Sequence, residues 1–516
     1  MLNISFRFSA LASIALPFFL LQAQAAALDL VLSGGRVIDP ETGLDAIRNI
    51  GIEGNRIVAV SSEPLQARQH IDVTGLVVSP GFIDMHAHGQ SILSGRVQAF
   101  DGVTTALELE SGSFPVSAYY AERENEGRPI NYGASVNWLA VRISTLLKTE
   151  ATADADWFGH AMTLQGWQHS IASEAQLQQM LAKVAQGLDE GGLGVGFLTG
   201  YAPGSGKKEY HSISQLAAKR QVPTFTHARF LSMLEPASSF EAIQEIVAVA
   251  ASTGVQAHIV HLNSISLRDI DLIADMIRSA QQRGVRLSTE AYPYGAGATS
   301  IGAAMFRGPD WRQRTGGLKA ESFVANGKRL NETEFKQLQD NKPDTEIVVH
   351  FLELADQRDQ KLIEKSLLMP GGVIASDGGD WLIDNQPVAQ DTWPLPAKAF
   401  NHPRSAGTFT RFIRQYALLD NKLSLAEAIA KVSLKPAQLL EQAVPQMKYK
   451  GRIQVGSDAD IVVFSAEELA DQASYELPAQ LSKGMKYVLV NGEILIRNEQ
   501  LDTTKLPGKA VRNQIK

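Results

Sequence analysis

Two histidines separated by one residue, His86 and His88, follow the apolar run at 75–84. Side chains alternate along an extended segment, so both imidazoles lie on one face and can bind the same ion. Imidazole is a common ligand of Zn²⁺ and similar divalent ions. A single His-x-His pair is a weak signal, because most histidines lie on the surface or form hydrogen bonds in the core. Matching residues at the ends of later apolar segments strengthen the metal interpretation.

The second apolar segment, at 104–110, places two glutamates on one face and two leucines on the other. Leucines pack against helices, so both glutamates are expected to face inward. Glu110 lies nearer the carboxyl end of the segment and is the predicted metal ligand. A charge at the deeper position, Glu108, costs more free energy.

Three more apolar segments each end in a possible ligand: His227, His261 and Asp377. By alternation His258 faces away from His261, and we expect it to pack toward a helix. Asp377 alone could cap a helix. Beside a metal, it is placed to take a proton from water and return it to a leaving nitrogen. The combined pattern predicts a site for one or two divalent ions, with Zn²⁺ expected and Asp377 as both ligand and acid/base.

The elements that must position these residues alternate between apolar strands and helical stretches from 81 to 440. Eight strands end near His88, Glu110, Asn137, Thr199, His227, His261, Tyr292 and Asp377. This order predicts an α/β fold, a (β/α)8 TIM-like barrel with its active site at the carboxyl ends of the strands. The stretch at 296–370 is too long for a loop and predicts a lid-like insertion. Its aromatic residues Phe306, Trp311 and Phe323 could line a pocket or pack the lid.

Short strands and turns fill the two flanking regions, 26–80 and 441–516. A chain of 516 residues is too long for one compact core. Because two regions rich in short strands flank a long α/β centre, they are predicted to form one small β-sandwich domain built from both termini.

Residues 1–25 have the layout of a secretory signal peptide, with Arg7, an apolar run at 10–21 and a small-x-small site at 23–25. An uncleaved anchor or a buried start is the alternative. The run is too short for a membrane span, so none is expected after cleavage. The chain has no cysteine, which excludes disulfides and thiolate chemistry and suits a protein secreted to the bacterial periplasm. Its net charge of −7 gives no electrostatic reason to expect nucleic acid.

Six stretches carry a family resemblance, at 102–105 (Gly-Val-Thr-Thr), 194–204, 226–229 (Thr-His-Ala-Arg), 292–294 (Tyr-Pro-Tyr), 376–378 (Ser-Asp-Gly) and 402–409. They resemble the amidohydrolase superfamily and, within it, the N-acyl-D-amino-acid deacylases (D-aminoacylases). The resemblance covers nearly all of the chain after residue 25. It implies a metal-dependent hydrolase on a (β/α)8 barrel, with His227 and His261 at one metal position, His86 and His88 at a second, and Asp377 as the acid/base.

The same resemblance implies five substrate-binding residues: Arg404, Tyr292, Tyr294, Arg229 and Asn263. Arg404 would grip the substrate carboxylate, because a guanidinium matches a carboxylate bidentately. Alternation does not separate Tyr292 from Tyr294, and packing at the barrel rim is the alternative for both. Arg229 could face the site or pair with a nearby acid.

Two positions depart from the family pattern. Ser111 stands where these deacylases usually have a cysteine ligand, so Glu110 can replace the thiolate and bridge two metals. Asn263 stands where a lysine is expected, which removes one positive charge for the substrate carboxylate. The segment 193–199 also lacks a lysine, which disfavours the carboxylated-lysine subtype of hydantoinases and dihydroorotases.

The resulting hypothesis is a metal-dependent amidohydrolase that cleaves the amide bond of N-acyl amino acids, with D substrates as one option. The alternatives are a dipeptidase, a cyclic-imide or carbamate hydrolase on the same scaffold, or a catalytically inactive binding subunit. Arg404 favours small substrates with a free carboxylate, such as N-acyl amino acids or dipeptides. The acyl group, the amino acid, its handedness and the oligomeric state stay open.

Overall fold

A computed structural model describes residues 1–2 and 28–516 of the chain. The predicted signal peptide at 1–25 lies outside the described residues, apart from the first two. Within the described part, no helix combines the length and the apolar character needed to cross a bilayer.

The strands and helices follow one another along the whole described chain. The strands are β1 (Leu28–Asp39), β2 (Leu44–Glu53), β3 (Arg56–Ser61), β4 (Ala67–Asp72), β5 (Val77–Pro80), β6 (Phe82–Asp84), β7 (Val103–Ser113), β8 (Asn131–Asn137), β9 (Val195–Leu198), β10 (Thr224–His227), β11 (Ala257–Ile259), β12 (Leu287–Ala291), β13 (Ala296–Ser300), β14 (Phe323–Ala325), β15 (Lys328–Arg329), β16 (Glu346–His350), β17 (Val373–Ile374), β18 (Leu382–Ile383), β19 (Gln386–Pro387), β20 (Ile461–Phe464), β21 (Met485–Val490), β22 (Glu493–Arg497) and β23 (Gln500–Leu501). The α-helices are α1 (Ile92–Phe100), α2 (Val116–Glu126), α3 (Trp138–Leu146), α4 (Ala155–Thr163), α5 (Glu174–Asp189), α6 (Lys207–Lys219), α7 (Ser239–Thr253), α8 (Leu262–Ile265), α9 (Ile270–Gln282), α10 (Trp311–Arg314), α11 (Glu332–Asn341), α12 (Gln357–Leu367), α13 (Arg404–Phe412), α14 (Leu425–Val432) and α15 (Leu434–Leu440).

Eight parallel strands form the barrel, in the order β17-β12-β11-β10-β9-β8-β7-β6. The two end strands meet through a bridge between Ala87 and Gly378, and the N–H of Asp377 donates to the carbonyl of His86 at 2.8 Å. Barrel strands are apolar on both faces because helices cover the outside and side chains fill the inside. The predicted α/β barrel is confirmed; Glu110 lies three residues before the end of β7, and the other predicted strand ends lie at or just beyond the carboxyl end of a barrel strand.

The two chain ends build a second sheet, with β23-β22-β21-β20-β5-β1-β2-β3 as its path and β4 paired to β1. Strand β20 pairs antiparallel with β5 and so joins the C-terminal strands to the N-terminal ones. Along β20, Ile461 and Val463 enter the core of this sheet, whereas Val462 and Phe464 pack with barrel residues such as Phe82. The small β domain therefore has its own apolar core and a second apolar face against the barrel.

The insertion between β12 and β17 contains a four-stranded sheet in the order β13-β16-β14-β15. Its aromatic residues Phe306, Trp311 and Phe323 pack on one another, with ring centroids 5.0 to 6.1 Å apart. They pack the core of the insertion and do not line the active-site cavity. At the end of the predicted 296–370 stretch, α12 packs against α9 as a helix of the barrel wall.

Candidate metal centre and active site

The carboxylate of Glu110, in β7, lies between two pairs of histidines. Its Oε1 is 2.9 Å from both Nδ1 of His227 and Nε2 of His261. Its Oε2 is 3.2 Å from Nε2 of His86 and 3.4 Å from Nε2 of His88. Within each pair the facing ring nitrogens are 3.1 Å apart. The predicted ligands from four strands therefore converge, and Glu110 contacts both pairs.

Two further carboxylates hold the first histidine pair by its outer nitrogens. Glu290 contacts Nδ1 of His86, and Glu108 lies 2.8 Å from Nδ1 of His88. A carboxylate accepts, so each Nδ1 donates its proton outward and leaves the Nε2 lone pair directed at the centre. Glu108 thus orients His88, and Glu110 faces the inner nitrogens of the histidines.

The inward-facing atoms form two groups that suit a divalent cation. One group is His86, His88 and Glu110, the other is Glu110, His227 and His261, and in each the ligand atoms lie within 4.8 Å of one another. Imidazole lone pairs and carboxylate oxygens facing each other are all acceptors, and a cation satisfies them. Imidazole and carboxylate form the donor set of catalytic zinc and related sites. The residues present therefore fit a metal centre.

Buried acids determine the charge of this centre. Burial acts to lower the pKa of His86, but Glu110 and Glu290 outweigh it and hold that pKa well above its usual range. Burial acts to raise the pKa of Glu110, but His86 and His227 hold it well below its usual range. Despite burial, His86 and His258 lower the pKa of Glu290 to about 2. The centre thus holds a negative charge that protons on the imidazoles or a bound cation must balance.

His258 and His261 both point into the barrel, contrary to strand alternation. Strand β11 ends at Ile259, and His261 has a left-handed backbone with φ of 32°. His258 lies 2.9 Å from Glu290 through Nε2 and 2.8 Å from the Ser288 hydroxyl through Nδ1. The prediction that His258 packs toward a helix is wrong, because alternation holds only while the strand continues.

Two buried acids at the centre were missing from the sequence prediction, Glu290 and Asp84. Each is an acidic residue inside an apolar strand, and that placement is the signal that could have identified them. Asp84 accepts from the N–H groups of His86 and Ser376 at 3.1 and 3.0 Å, and so links β6 to the segment that ends at Asp377. Burial raises the pKa of Asp84 to about 6.

Asp377 lies between the first histidine pair and Arg404. Its Oδ1 is 3.4 Å from Nε2 of His86 and 3.5 Å from Nε2 of His88. Its Oδ2 is 2.9 Å from Nη1 of Arg404. Burial acts to raise the pKa of Asp377, but Arg404 and His86 outweigh it and hold that pKa below its usual range. Asp377 is therefore an ionised acceptor beside the metal position.

Arg404 and Tyr292 face the same cavity, which has a volume of about 480 Å³. The Arg404 guanidinium lies 4.7 Å from the centre of the Tyr292 ring. Arg404 is only 3% exposed, and its Nε and Nη1 and the Tyr292 hydroxyl form no aligned hydrogen bond within residues 28–516. The contact of Nη1 with Asp377 is close but lacks hydrogen-bond alignment. Buried donors without partners are costly, and a substrate carboxylate would satisfy them.

Tyr292 and Tyr294 diverge although alternation predicts a shared face. Strand β12 ends at Ala291, and the N–H of Tyr294 donates to the Tyr292 carbonyl at 2.9 Å, which turns the chain. Tyr294 lies 4.8 Å from the Arg411 guanidinium, outside the cavity lining. Asn263 donates to the carbonyls of Tyr292 and Tyr294 at 3.2 and 3.1 Å. Asn263 thus fixes the turn that positions Tyr292 and does not line the cavity.

Arg229 also lies outside the cavity lining. Its guanidinium donates to the Glu245 carboxylate at 2.8 and 3.0 Å and to the Ser205 hydroxyl at 2.8 Å. The structure therefore gives Arg229 the alternative role left open by the sequence, an ion pair with a nearby acid.

Comparison with known proteins agrees with this geometry. The chain is 26% identical to the N-acyl-D-glutamate deacylase of Alcaligenes xylosoxydans xylosoxydans, over 94% of this chain and 96% of that one. It is 25% identical to the D-aminoacylase of the same organism, over 91% and 95%. A Bordetella bronchiseptica N-acyl-D-glutamate deacylase, solved with zinc and a phosphonate inhibitor, superposes with a TM-score of 0.72 at 21% identity, covering 94% of this chain and 100% of that one. The model of the amidohydrolase family matches residues 69–350 and 265–496, and the chain therefore belongs to the amidohydrolase family.

Proposed function

We propose that this chain is a zinc-dependent deacylase that hydrolyses the amide bond of N-acyl amino acids, with the D series as preferred substrates. The observation that supports this most directly is the joint placement of Glu110 and the Asp377–Arg404 pair in one cavity. A hydrolase of free-acid amides needs a metal position, a proton carrier and a carboxylate partner close together. The D-glutamate and D-amino-acid relatives support the reaction class, and the zinc-containing relative supports the ion.

In this proposal the two histidine pairs and Glu110 hold the metal. A divalent ion bound there supplies a Lewis acid that polarises a carbonyl and brings the pKa of water to about 7. Asp377 accepts the proton of the attacking water as the new carbon–oxygen bond forms. It then donates that proton to the nitrogen as the carbon–nitrogen bond breaks, which releases a carboxylic acid and an amine.

Arg404 and Tyr292 orient the substrate in the same proposal. Their unpaired donors face the cavity and would bind the α-carboxylate, with the guanidinium supplying a bidentate, charge-assisted contact. The scissile amide then lies toward Glu110 and Asp377. Holding the amide in place lowers the entropic part of the activation barrier.

The acyl group would occupy the apolar part of the cavity. This part is lined by Phe158, Met162, Leu198, Leu231, Ile265 and Met305. Six apolar side chains suit an alkyl or aryl acyl chain and not a second charged group.

We also propose that the chain is exported to the bacterial periplasm. The leader-like layout of residues 1–25 and the absence of cysteine support this. Cell fractionation with N-terminal sequencing tests it: we expect a periplasmic protein that starts at residue 26, and a cytoplasmic protein starting at residue 1 would contradict the proposal.

The central experiment combines metal analysis with a hydrolysis assay. Protein purified without added metal is analysed by plasma mass spectrometry, and zinc-loaded protein is incubated with paired N-acetyl-D- and N-acetyl-L-amino acids. We expect zinc in the protein and release of free amine from the D series. Metal without cleavage of any acyl amino acid would refute the deacylase proposal, and the dipeptide series would then be tested as the next class.

A further inference from the structure

Strand β13 and the start of β16 form one wall of the cavity and have two different faces. Thr299 pairs across the strands with Ile347. Ile347 belongs to the apolar core of the insertion, which Leu231 and Met305 contact. Since Leu231 and Met305 also line the cavity, this face borders the apolar part of the site.

Glu346 lies on the other face of the same wall. It pairs with Ser300, and directly opposed residues of antiparallel strands share a face. On that face Val348 packs against Phe400, the residue before Asn401. Glu346, Ser300 and Asn401 all line the cavity. The cavity therefore has an apolar compartment and a polar compartment that contains an acid.

The Glu346 carboxylate is open to the cavity. The side chain is half-buried, and within residues 28–516 no side chain forms a hydrogen bond or an ion pair with it. Burial raises its pKa, Arg404 and His88 act to lower it, and Asp377 acts to raise it; Glu346 lines the same cavity as these three residues. A carboxylate in such a position lacks the counter-charge that buried acids normally have.

The charges around the polar compartment disfavour a second substrate carboxylate. Among the described residues that line the cavity, Arg404 is the one with a guanidinium or ammonium group, and it already contacts Asp377. The other acid of this compartment, Asp380, accepts from the Ser94 hydroxyl at 2.6 Å. An acidic substrate side chain would therefore meet like charge, whereas a cationic one would find a free partner.

We propose that Glu346 is a specificity-determining residue that binds a cationic group on the side chain of the amino-acid part of the substrate. The probe class is an α-N-acyl-lysine, and the proposal rests on the deacylase function proposed above. A Cβ built on Gly297 would lie 3.1 Å from the Tyr292 hydroxyl, which places the carboxylate end of the substrate near Gly297. Gly297 lies on the Thr299 face of β13, and Ser300 lies three residues further along on the Glu346 face, about 10 Å away at the usual rise per residue. The long, flexible stem of lysine suits that span.

The test compares zinc-loaded full-length enzyme on three substrates: α-N-acetyl-D-lysine, N-acetyl-D-norleucine and N-acetyl-D-glutamate. Norleucine has the lysine stem without its ammonium group, so the ratio of the two kcat/KM values isolates the charge. We expect the lysine substrate to be favoured by about 10-fold or more, with the glutamate substrate the poorest. The L series replaces the D series if only L substrates are hydrolysed.

Variants identify the residue responsible. Glu346→Gln should bring the lysine-to-norleucine ratio to about one, and Glu346→Lys should shift the preference toward the glutamate substrate. Glu353→Gln is the matched control, because Glu353 is an exposed acid of the same insertion outside the cavity lining, and it should keep the wild-type ratio. Unchanged zinc content and melting temperature show that each variant is folded with its metal centre intact.

The outcomes separate the two proposals. Cleavage of N-acetyl-D-norleucine without a lysine preference, or a preference that persists in Glu346→Gln, would overturn the role of Glu346 and leave the deacylase function standing. No cleavage of any acyl amino acid by zinc-loaded wild-type protein would overturn the deacylase function and this inference with it. If Glu346→Gln fails to fold, Glu346→Lys takes its place, and a lysine preference that persists in that variant would overturn the role of Glu346.

Discussion

Replacement of Glu110 by glutamine tests whether one carboxylate serves two metal positions. Oε1 lies 2.9 Å from the facing nitrogens of His227 and His261, and Oε2 lies 3.2 and 3.4 Å from those of His86 and His88. An amide has a single oxygen, so only one histidine pair in Glu110→Gln keeps an oxygen of residue 110. The other pair faces an NH₂ group that repels a cation.

The expected size of the effect follows from this geometry. Metal content should fall from about two ions per chain to about one, because one position loses the oxygen that Glu110 supplies. Loss of an outer hydrogen-bond partner of a ligand typically weakens metal binding by about 10- to 100-fold. Loss of the ligand itself should weaken binding further, by more than about 2.7 kcal/mol in the free energy of metal binding at that position.

The assay is zinc titration of chelator-treated protein by calorimetry, with metal analysis after gel filtration. Glu108→Gln is the control of matched chemistry, because its amide oxygen still accepts from Nδ1 of His88. This control should bind the same number of ions with lower affinity at one position. Two ions bound to Glu110→Gln as tightly as to wild type would refute the bridging role of Glu110.

Three further substitutions test the acid/base, the carboxylate site and a buried charge. Asp377→Asn should lower kcat by about 100- to 10,000-fold in steady-state assays while zinc stays bound, and retained turnover would contradict its role as proton carrier. Gly297→Ala places a methyl group 3.1 Å from the Tyr292 hydroxyl, so KM should rise by about 10-fold with unchanged metal content; an unchanged KM would contradict a carboxylate site there. Burial lowers the pKa of Lys431 to about 7. Above that pH the unfolded chain therefore binds more protons than the folded chain. Chemical denaturation should therefore show a free energy of unfolding that rises between about pH 7 and pH 10, by at most about 1.4 kcal/mol per unit. Lys431→Met should remove this slope, and the exposed control Lys361→Met should keep it.

The convergence of the candidate metal ligands was predictable because it depends on local pattern and barrel topology. Apolar runs that end in His or Asp identify strand ends, and in a parallel barrel all those ends meet on one rim. The choice of Glu110 over Glu108 as the candidate ligand followed from depth along one strand, and the structure places Glu108 behind His88. Alternation failed once the strands had ended, at His261 with its left-handed backbone and at the turn after Tyr292.

Other parts of the site depend on long-range pairing that a single sequence does not reveal. Glu346 reaches the cavity only because β16 pairs with β13, which lies about 50 residues earlier in the chain and precedes two intervening strands. Arg229 follows His227 by two residues, which suggested a shared face, yet its partner Glu245 comes from α7. In each case the decisive neighbour belongs to an element whose position depends on tertiary packing.

Asn263 and Glu346 both make the site less positive than the family resemblance implies. Asn263 stands where the family resemblance implies a lysine, and its amide is used to fix the turn that positions Tyr292. Among the described residues that line the cavity, Arg404 is thereby left as the one with a permanent positive charge, while Glu346 adds a negative charge further along the wall. Beside its contact with Asp377, Arg404 can bind one substrate carboxylate, and a second carboxylate would lie beside like charge. A substrate with one carboxylate and a cationic side chain therefore matches this cavity better than the doubly acidic substrate named for the N-acyl-D-glutamate relatives.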